Sequence, residues 1–237
     1  MTVTLAPETL FYIGSFPITN TVIDTLLVDG IILSLVVYIN KKTSVIPTFL
    51  QTLVELAVEQ FHSLTESTAG EHTAKIFPYV ITFFLFIFIA NYSELIPIIT
   101  AITVNGAPLI RSTSSDLNTT LALALISIIA THSMSIKTIG LKAYLNRCFS
   151  LNPIALFSGL LELISEFTKI ISFSFRLFGN IFVGGIILAS ITAVFAFIIP
   201  SVVMFYEMFV GFIQALIFAL LTMAFMSIFT TAHSGIE

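Results

Sequence analysis

Apolar residues run through this chain in long stretches, interrupted by few polar residues and bounded by others. Five such spans stand out, at 22–39, 76–96, 117–136, 154–199 and 202–229. Asn40, Lys41 and Lys42 stop the first, Pro97 the second and Lys137 the third, and Pro200 breaks the last two apart. A helix needs about 20 apolar residues to cross a ~30 Å hydrocarbon core. The first three spans fit that length. The fourth would measure about 65 Å as one helix at 1.5 Å per residue. It cannot stand upright in a bilayer, so the last two spans are predicted to form a long, tilted helical hairpin. A short surface helix near 154–165 followed by an ordinary span is the alternative. Residues 48–64 follow a different pattern. Phe49, Leu50, Leu53, Leu56, Ala57 and Phe61 recur at helical spacing, and Gln51, Glu55, Glu59, His62 and Glu66 form the opposite face. That pattern predicts an amphipathic helix lying on the membrane surface.

Composition agrees with the pattern. The 237 residues are 57% hydrophobic and 9% charged, against about 25% charged in soluble domains. The predicted fold class is an all-α membrane protein: five membrane-spanning helices, one amphipathic surface helix, and a single integral membrane domain over 1–237. The net charge of −4 is thinly spread and implies no nucleic-acid partner. The single cysteine, Cys148, excludes an intrachain disulfide. The first twenty residues have no basic stretch and no small-residue cleavage site before the first apolar run, and are expected to be mature sequence. Lys41, Lys42, Lys75, Lys137, Lys142 and Arg147 fall in the loops after spans one and three, whereas only Arg111 falls in 98–116. The positive-inside rule then places the N-terminus outside and the C-terminus inside. No internal repeat of the kind common in secondary transporters is evident.

The polar residues within the apolar spans carry the functional information. On the fourth span Glu162, Glu166, Lys169, Arg176 and Asn180 stand at offsets 0, 4, 7, 14 and 18. At about 100° per residue they share one stripe, roughly 27 Å long. Lipid cannot be what that face meets, because a charge at membrane depth costs about 3 kcal/mol or more. A salt-bridged packing seam would account for Glu166 with Lys169. It does not account for Arg176, which has no acid within a turn. On the fifth span Glu207 and Gln214 share a face, with Gly211 between them. Asn91 and Glu94 end the second span, Asp116 and Asn118 open the third, and His132 lies near its inner end. Asp116 or Asn118 would serve equally as a helix cap, and a lone histidine is more often structural. By depth, Asn91, Glu94, Asp116, Asn118 and Glu207 gather toward the outside. Glu162, with Glu166 and His132, lies toward the inside, and Arg176 stands between. Carboxylates and histidine relay protons, whereas arginine stays charged. The pattern reads as two half-length aqueous paths separated by a fixed cation.

At these residues the chain resembles subunit a of the F-type ATP synthase. The resemblance runs from about the first span to the C-terminus. It rests on RLFGN at 176–180, GFIQALIFALL at 211–221, NYSELIP at 91–97 and SSDLNTTLALAL at 114–125, with Glu162 fourteen residues before the arginine. It implies a non-catalytic, proton-translocating stator subunit with no cofactor and no metal, whose partners are a ring of c subunits, peripheral-stalk b subunits and the lipid bilayer. Arg176 would face the ring carboxylate, with Asn180 and Gln214 as its polar neighbours. Many members carry Glu or His nine residues after the arginine, where this chain has Gly185. The resemblance therefore implies that Glu207 supplies the outer carboxylate there, aided by Glu94 and Asp116. A bacterial plasma membrane is expected, with an organelle inner membrane as the alternative. Two readings from other classes stand beside this one: a self-contained transporter using Arg176 to bind an anionic substrate, and a membrane scaffold in which the stripe is an assembly seam.

Overall fold

A computed structural model describes residues 7–42, 47–93, 95–96, 102–104, 107–141, 144, 153–195 and 198–231. The chain opens with a ribbon of β1 (Thr9–Ile13) and β2 (Phe16–Thr19), paired antiparallel. Gly14 makes its turn at φ +65°, a conformation glycine adopts without steric cost. Helix α1 (Asn20–Lys42) follows directly. Helices α2 (Phe49–Ala69) and α3 (Thr73–Ser93) are separated only by a 3-10 turn at Gly70–His72, where Gly70 takes φ +51°. A second ribbon, β3 (Thr103–Val104) with β4 (Ala107–Pro108), precedes α4 (Leu117–Ile139). Two long helices, α5 (Pro153–Val194) and α6 (Ile198–Thr231), complete the described chain.

Among the described residues five stretches are long and apolar enough to cross a membrane, with α2 and α3 counted together as Phe49–Ser93. The protein is thus an all-α membrane protein. The two ribbons, which the hydrophobic pattern did not predict, are short additions to the helices. Within α2 the apolar side chains of the first turns, Phe49, Leu50, Leu53 and Leu56, are exposed, whereas Phe61, Thr65 and Ala69 are buried. Gln51, placed on the polar face by its spacing, is buried and donates to Glu55 Oε1 at 2.8 Å.

Helices α5 and α6 form an antiparallel hairpin: Lys169 meets Phe225, Asn180 meets Gln214, and Gly184 meets Glu207. At 42 residues α5 is about 63 Å long, twice the thickness of a hydrocarbon core. The turn falls earlier than the proline suggests. Helix α5 ends at Val194 and α6 begins at Ile198, so Pro200 lies in the first turn of α6 instead of breaking the chain. There its missing N–H would have had no intrahelical partner anyway.

The core sits where α3, α4, α5 and α6 converge. Phe83 and Phe84 of α3, Phe173 and Leu177 of α5, and Phe218 of α6 are all buried. The Phe218 ring lies 5.4 Å from that of Phe83 and 5.0 Å from that of Phe173. Buried Ala215 and Ala219, one turn apart on α6, leave room for these rings. Hydroxyls link α4 to its neighbours along its length: Thr120 to Ser174 of α5 at 3.1 Å, Ser127 to Thr222 of α6 at 2.8 Å, and Ser135 to the Phe229 carbonyl at 3.1 Å. Others, including Thr65, Thr131 and Thr230, donate to the carbonyl four residues back, the acceptor an apolar surrounding leaves them.

Helix α1 is tied at its first turns. Asp24, fully buried, accepts from both the Thr113 N–H at 2.7 Å and the Thr113 hydroxyl at 2.8 Å through Oδ2. Asp24→Ala leaves the buried Thr113 N–H unpaired, at about 1–3 kcal/mol, while the Thr113 hydroxyl keeps the Thr21 carbonyl and the Thr25 hydroxyl as neighbours. A lower thermal midpoint is expected in detergent, with Asp24→Asn, which keeps an acceptor, falling less. Equal midpoints for Asp24→Ala and wild type would show that the tie contributes nothing to stability.

Candidate functional site

Three separate polar groupings and one open cation emerge along α5. Toward the hairpin turn, α3, α5 and α6 enclose a cavity of about 370 Å³, whose lining includes Asn91, Asn180, Tyr206 and Glu207. Asn91 is buried at the end of α3, and its Nδ2 donates to the Gly211 carbonyl at 3.0 Å. Tyr92, next to it, donates to the Met208 carbonyl at 3.0 Å. These two bonds fix the end of α3 to α6. Across the cavity Asn180 Nδ2 donates to Gln214 Oε1 at 2.7 Å, joining α5 to α6. Gln214 is 4% exposed. Glu207 reaches from α6 to α5, and its Oε1 is buried without a hydrogen-bond partner, as is Asn91 Oδ1.

Arg176 lies one turn from Asn180, on the exposed side of α5. Its guanidinium donates to Ser172 Oγ at 3.1 Å, within its own helix. Among the described residues no acidic side chain comes within 4.0 Å of it. Exposed Ile171, Phe175 and Val183 share this open side. The helix behind it is held firmly: Phe173, Ser174 and Leu177 are all buried, and Ser174 pairs with Thr120.

The second grouping stands further down α5. Glu166 Oε1 accepts from Lys169 Nζ at 2.6 Å, and its Oε2 lies 3.3 Å from His132 Nε2 of α4. His132 Nδ1 bonds the Tyr144 hydroxyl at 2.9 Å. Lys169 Nζ lies 4.0 Å from the Phe225 ring centre of α6, a cation–π contact. Glu166 and Lys169 therefore do pair, and the pair joins three helices. Glu162, one turn earlier, is half-buried.

The third grouping is the turn before α4. Asp116 caps that helix: its Oδ1 accepts from the Asn118 N–H at 3.0 Å and from Asn118 Nδ2 at 3.2 Å. Its Oδ2 accepts from the Thr21 hydroxyl at 3.4 Å. Arg111 donates from Nε to Ser115 Oγ at 3.0 Å, and Ser112 Oγ donates to the Ala90 carbonyl at 3.0 Å, so the turn packs on the end of α3. Of the residues singled out in the sequence, the structure gathers Asn91, Asn180, Gln214 and Glu207. It sets Asp116 with Asn118, and His132 with Glu166, in other places. Glu94 lies outside the described residues. Asp24 was not among them, although an aspartate inside the apolar run 22–39 was signal enough to mark it.

A carboxylate whose Oε1 is buried and unpaired at a cavity wall, and an arginine on the open face of the same hairpin, are set among long apolar helices: the chain is an integral membrane protein with polar groups held between its spans. Residues 22–227 match the family model described as ATP synthase A chain. The chain is also 32% identical over 227 residues to ATP synthase subunit a of Moorella thermoacetica, covering 96% of this chain and 98% of that protein. The chain belongs to the ATP synthase A chain family.

The Glu166 cluster yields a stability test. Removing one member of a buried ion pair costs about 3–5 kcal/mol, whereas replacing both by apolar residues is often neutral. Glu166→Leu is expected to lower the thermal midpoint sharply, and Glu166→Leu with Lys169→Met to recover most of the loss. No recovery in the double variant would show that the charges do not act as a pair.

Proposed function

We propose that this chain is the proton-translocating stator subunit of an F-type ATP synthase, non-catalytic itself, working against a ring of c subunits with peripheral-stalk b subunits beside it. Its membrane is the bacterial plasma membrane, with the N-terminus outside and the C-terminus inside. Family membership supports the coarse role, and the placement of Arg176 supports the mechanism.

A guanidinium on an apolar helix face without an acid partner is costly against lipid. It is favourable where a carboxylate from another chain comes to meet it. In the proposed cycle a proton enters from outside past Glu94, Asp116 and Asn118 and reaches Glu207 and the cavity beside Asn91. It passes from there to a ring carboxylate. Neutralised, that acid turns into lipid at far lower cost than its ionised form. After nearly a full turn the acid releases its proton on the inner side, toward Glu162, with His132 on the neighbouring helix. The ionised carboxylate is then drawn to Arg176. Arginine stays protonated throughout, so no proton crosses directly between the outer and inner paths. Asn180 and Gln214, bonded to each other at 2.7 Å, set the polar seam beside the cation. Each charge crossing 100 mV supplies about 2.3 kcal/mol. The chain makes and breaks no covalent bond; it gates where the ring acids gain and lose protons.

The test is proton flux in vesicles carrying the whole complex. Arg176→Ala is expected to abolish ATP-driven pumping while the complex still assembles, with passive leak through the membrane sector retained or raised. Surviving coupled pumping would overturn the mechanism. Loss of assembly in Arg176→Ala would favour the scaffold reading, and a functional chain purified without a ring would favour the self-contained transporter.

A further inference from the structure

Gly184, Glu207 and Asn91 line the cavity between α3, α5 and α6, and Gly211 packs against Asn91. A Cβ at Gly211 would lie 3.2 Å from Asn91 Cβ. Without one, Asn91 comes close enough to donate to the Gly211 carbonyl at 3.0 Å. The contact at Gly184 is tighter. A Cβ there would lie 2.9 Å from Glu207 Oε1 and 3.3 Å from Glu207 Cδ. The carboxyl end of Glu207 thus occupies the volume that a side chain at 184 would need. Glycine is a poor helix former, and Gly184 sits inside α5, well short of its end at Val194. Nothing about its backbone calls for glycine; the seated carboxyl does.

The seat decides where the acid's oxygen stands. Glu207 Oε1 is buried and has no hydrogen-bond partner, and the same holds for Asn91 Oδ1. Both residues line the cavity. Buried acceptors without donors are costly, and a water in the cavity or the acid's own proton relieves them. Proton transfer needs heavy atoms at about 3 Å or joined by one water. A carboxyl free to swing onto the open face would spend less time in that register.

We propose that Gly184 is a positioning residue for proton transfer: its missing side chain is the seat that holds the Glu207 carboxyl within the α5–α6 seam, at the cavity wall. The proposal rests on the reading that Glu207 carries the proton. Only the flexible end of Glu207 obstructs a methyl group at 184, so Gly184→Ala needs no backbone shift and the complex is expected to assemble.

The experiment is a double-mutant cycle on ATP-driven acidification of vesicles bearing the whole complex, with Gly184→Ala and Glu207→Asp alone and combined. Gly184→Ala is expected to slow pumping about tenfold beside the native Glu207. In the Glu207→Asp background, where the shorter side chain frees the seat, it is expected to slow pumping less than about threefold further. Pumping by Gly184→Ala within twofold of wild type would overturn the proposal. So would an equal loss in both backgrounds, whether through failed assembly or lost pumping, because a packing role for Gly184 is indifferent to the length of residue 207. Glu207→Gln in the same vesicles separates the two readings: if it pumps like wild type, the role of Glu207 fails and takes the seat with it. If Glu207→Gln stops pumping while Gly184→Ala does not slow it, only the seat fails.

Discussion

In a bundle of helices set in hydrocarbon, each polar group must find its partner inside the protein, because the surrounding lipid offers none. That constraint shapes this chain more than the attraction between apolar surfaces does, since lipid tails are as apolar as the helices. Helix α4 meets it with hydroxyls matched to α5 and α6. Helix α5 meets it lower down with Glu166, Lys169 and His132. Exceptions remain among the described residues: Arg176 has no acid partner, and Glu207 Oε1, Asn91 Oδ1, Asp24 Oδ1 and Ser114 Oγ are buried without a hydrogen-bond partner. Arg176, Glu207 and Asn91 lie around one stretch of the α5–α6 hairpin, whereas Asp24 and Ser114 lie where α1 meets the turn before α4.

The α5–α6 hairpin makes that stretch possible. Buried Phe173, Ser174 and Leu177 hold one side of α5 against the bundle and leave Arg176 on the other. Asn180 with Gln214, and Gly184 with Glu207, fix the two long helices side by side above it. The seam is polar on the inside of the hairpin and apolar on its open face, where Phe205 and Phe209 of α6 are exposed. A rigid back and an uncovered front suit a surface against which another assembly moves.

Much of this was legible in the sequence, and the reasons are physical. Membrane helices announce themselves through long, predominantly apolar runs, so the five spanning stretches could be read without any tertiary information. The length of the fourth run pointed to a long, tilted hairpin, with a short surface helix followed by an ordinary span as the alternative. The pairing of Glu166 with Lys169 followed from their separation of three residues, as the capping role open to Asp116 followed from its place before an apolar run. Position across helices was not legible. Spacing placed Glu166 and Arg176 on one stripe, yet one is buried against α4 and the other is exposed, because α5 is covered by its neighbours at one level and open at the next. Pro200 was read as a break, although a proline in a first turn breaks nothing. The seat at Gly184 could not be read at all, since it depends on a carboxyl from a residue more than twenty positions away.

The mooring of α1 bears on how the molecule is made. Its buried residues, Asn20, Thr21, Asp24 and Val28, all lie in its first nine positions. Its side-chain bonds to the rest of the bundle run to Pro108, Thr113 and Asp116. Synthesis proceeds from the N-terminus, so α1 is made before the segment that holds it, and its tie from Asp24 to Thr113 waits for nearly ninety further residues. Until then Asp24 has none of its Thr113 donors. Helix α1 is therefore built well before it is locked, and the 107–116 segment is the key that turns.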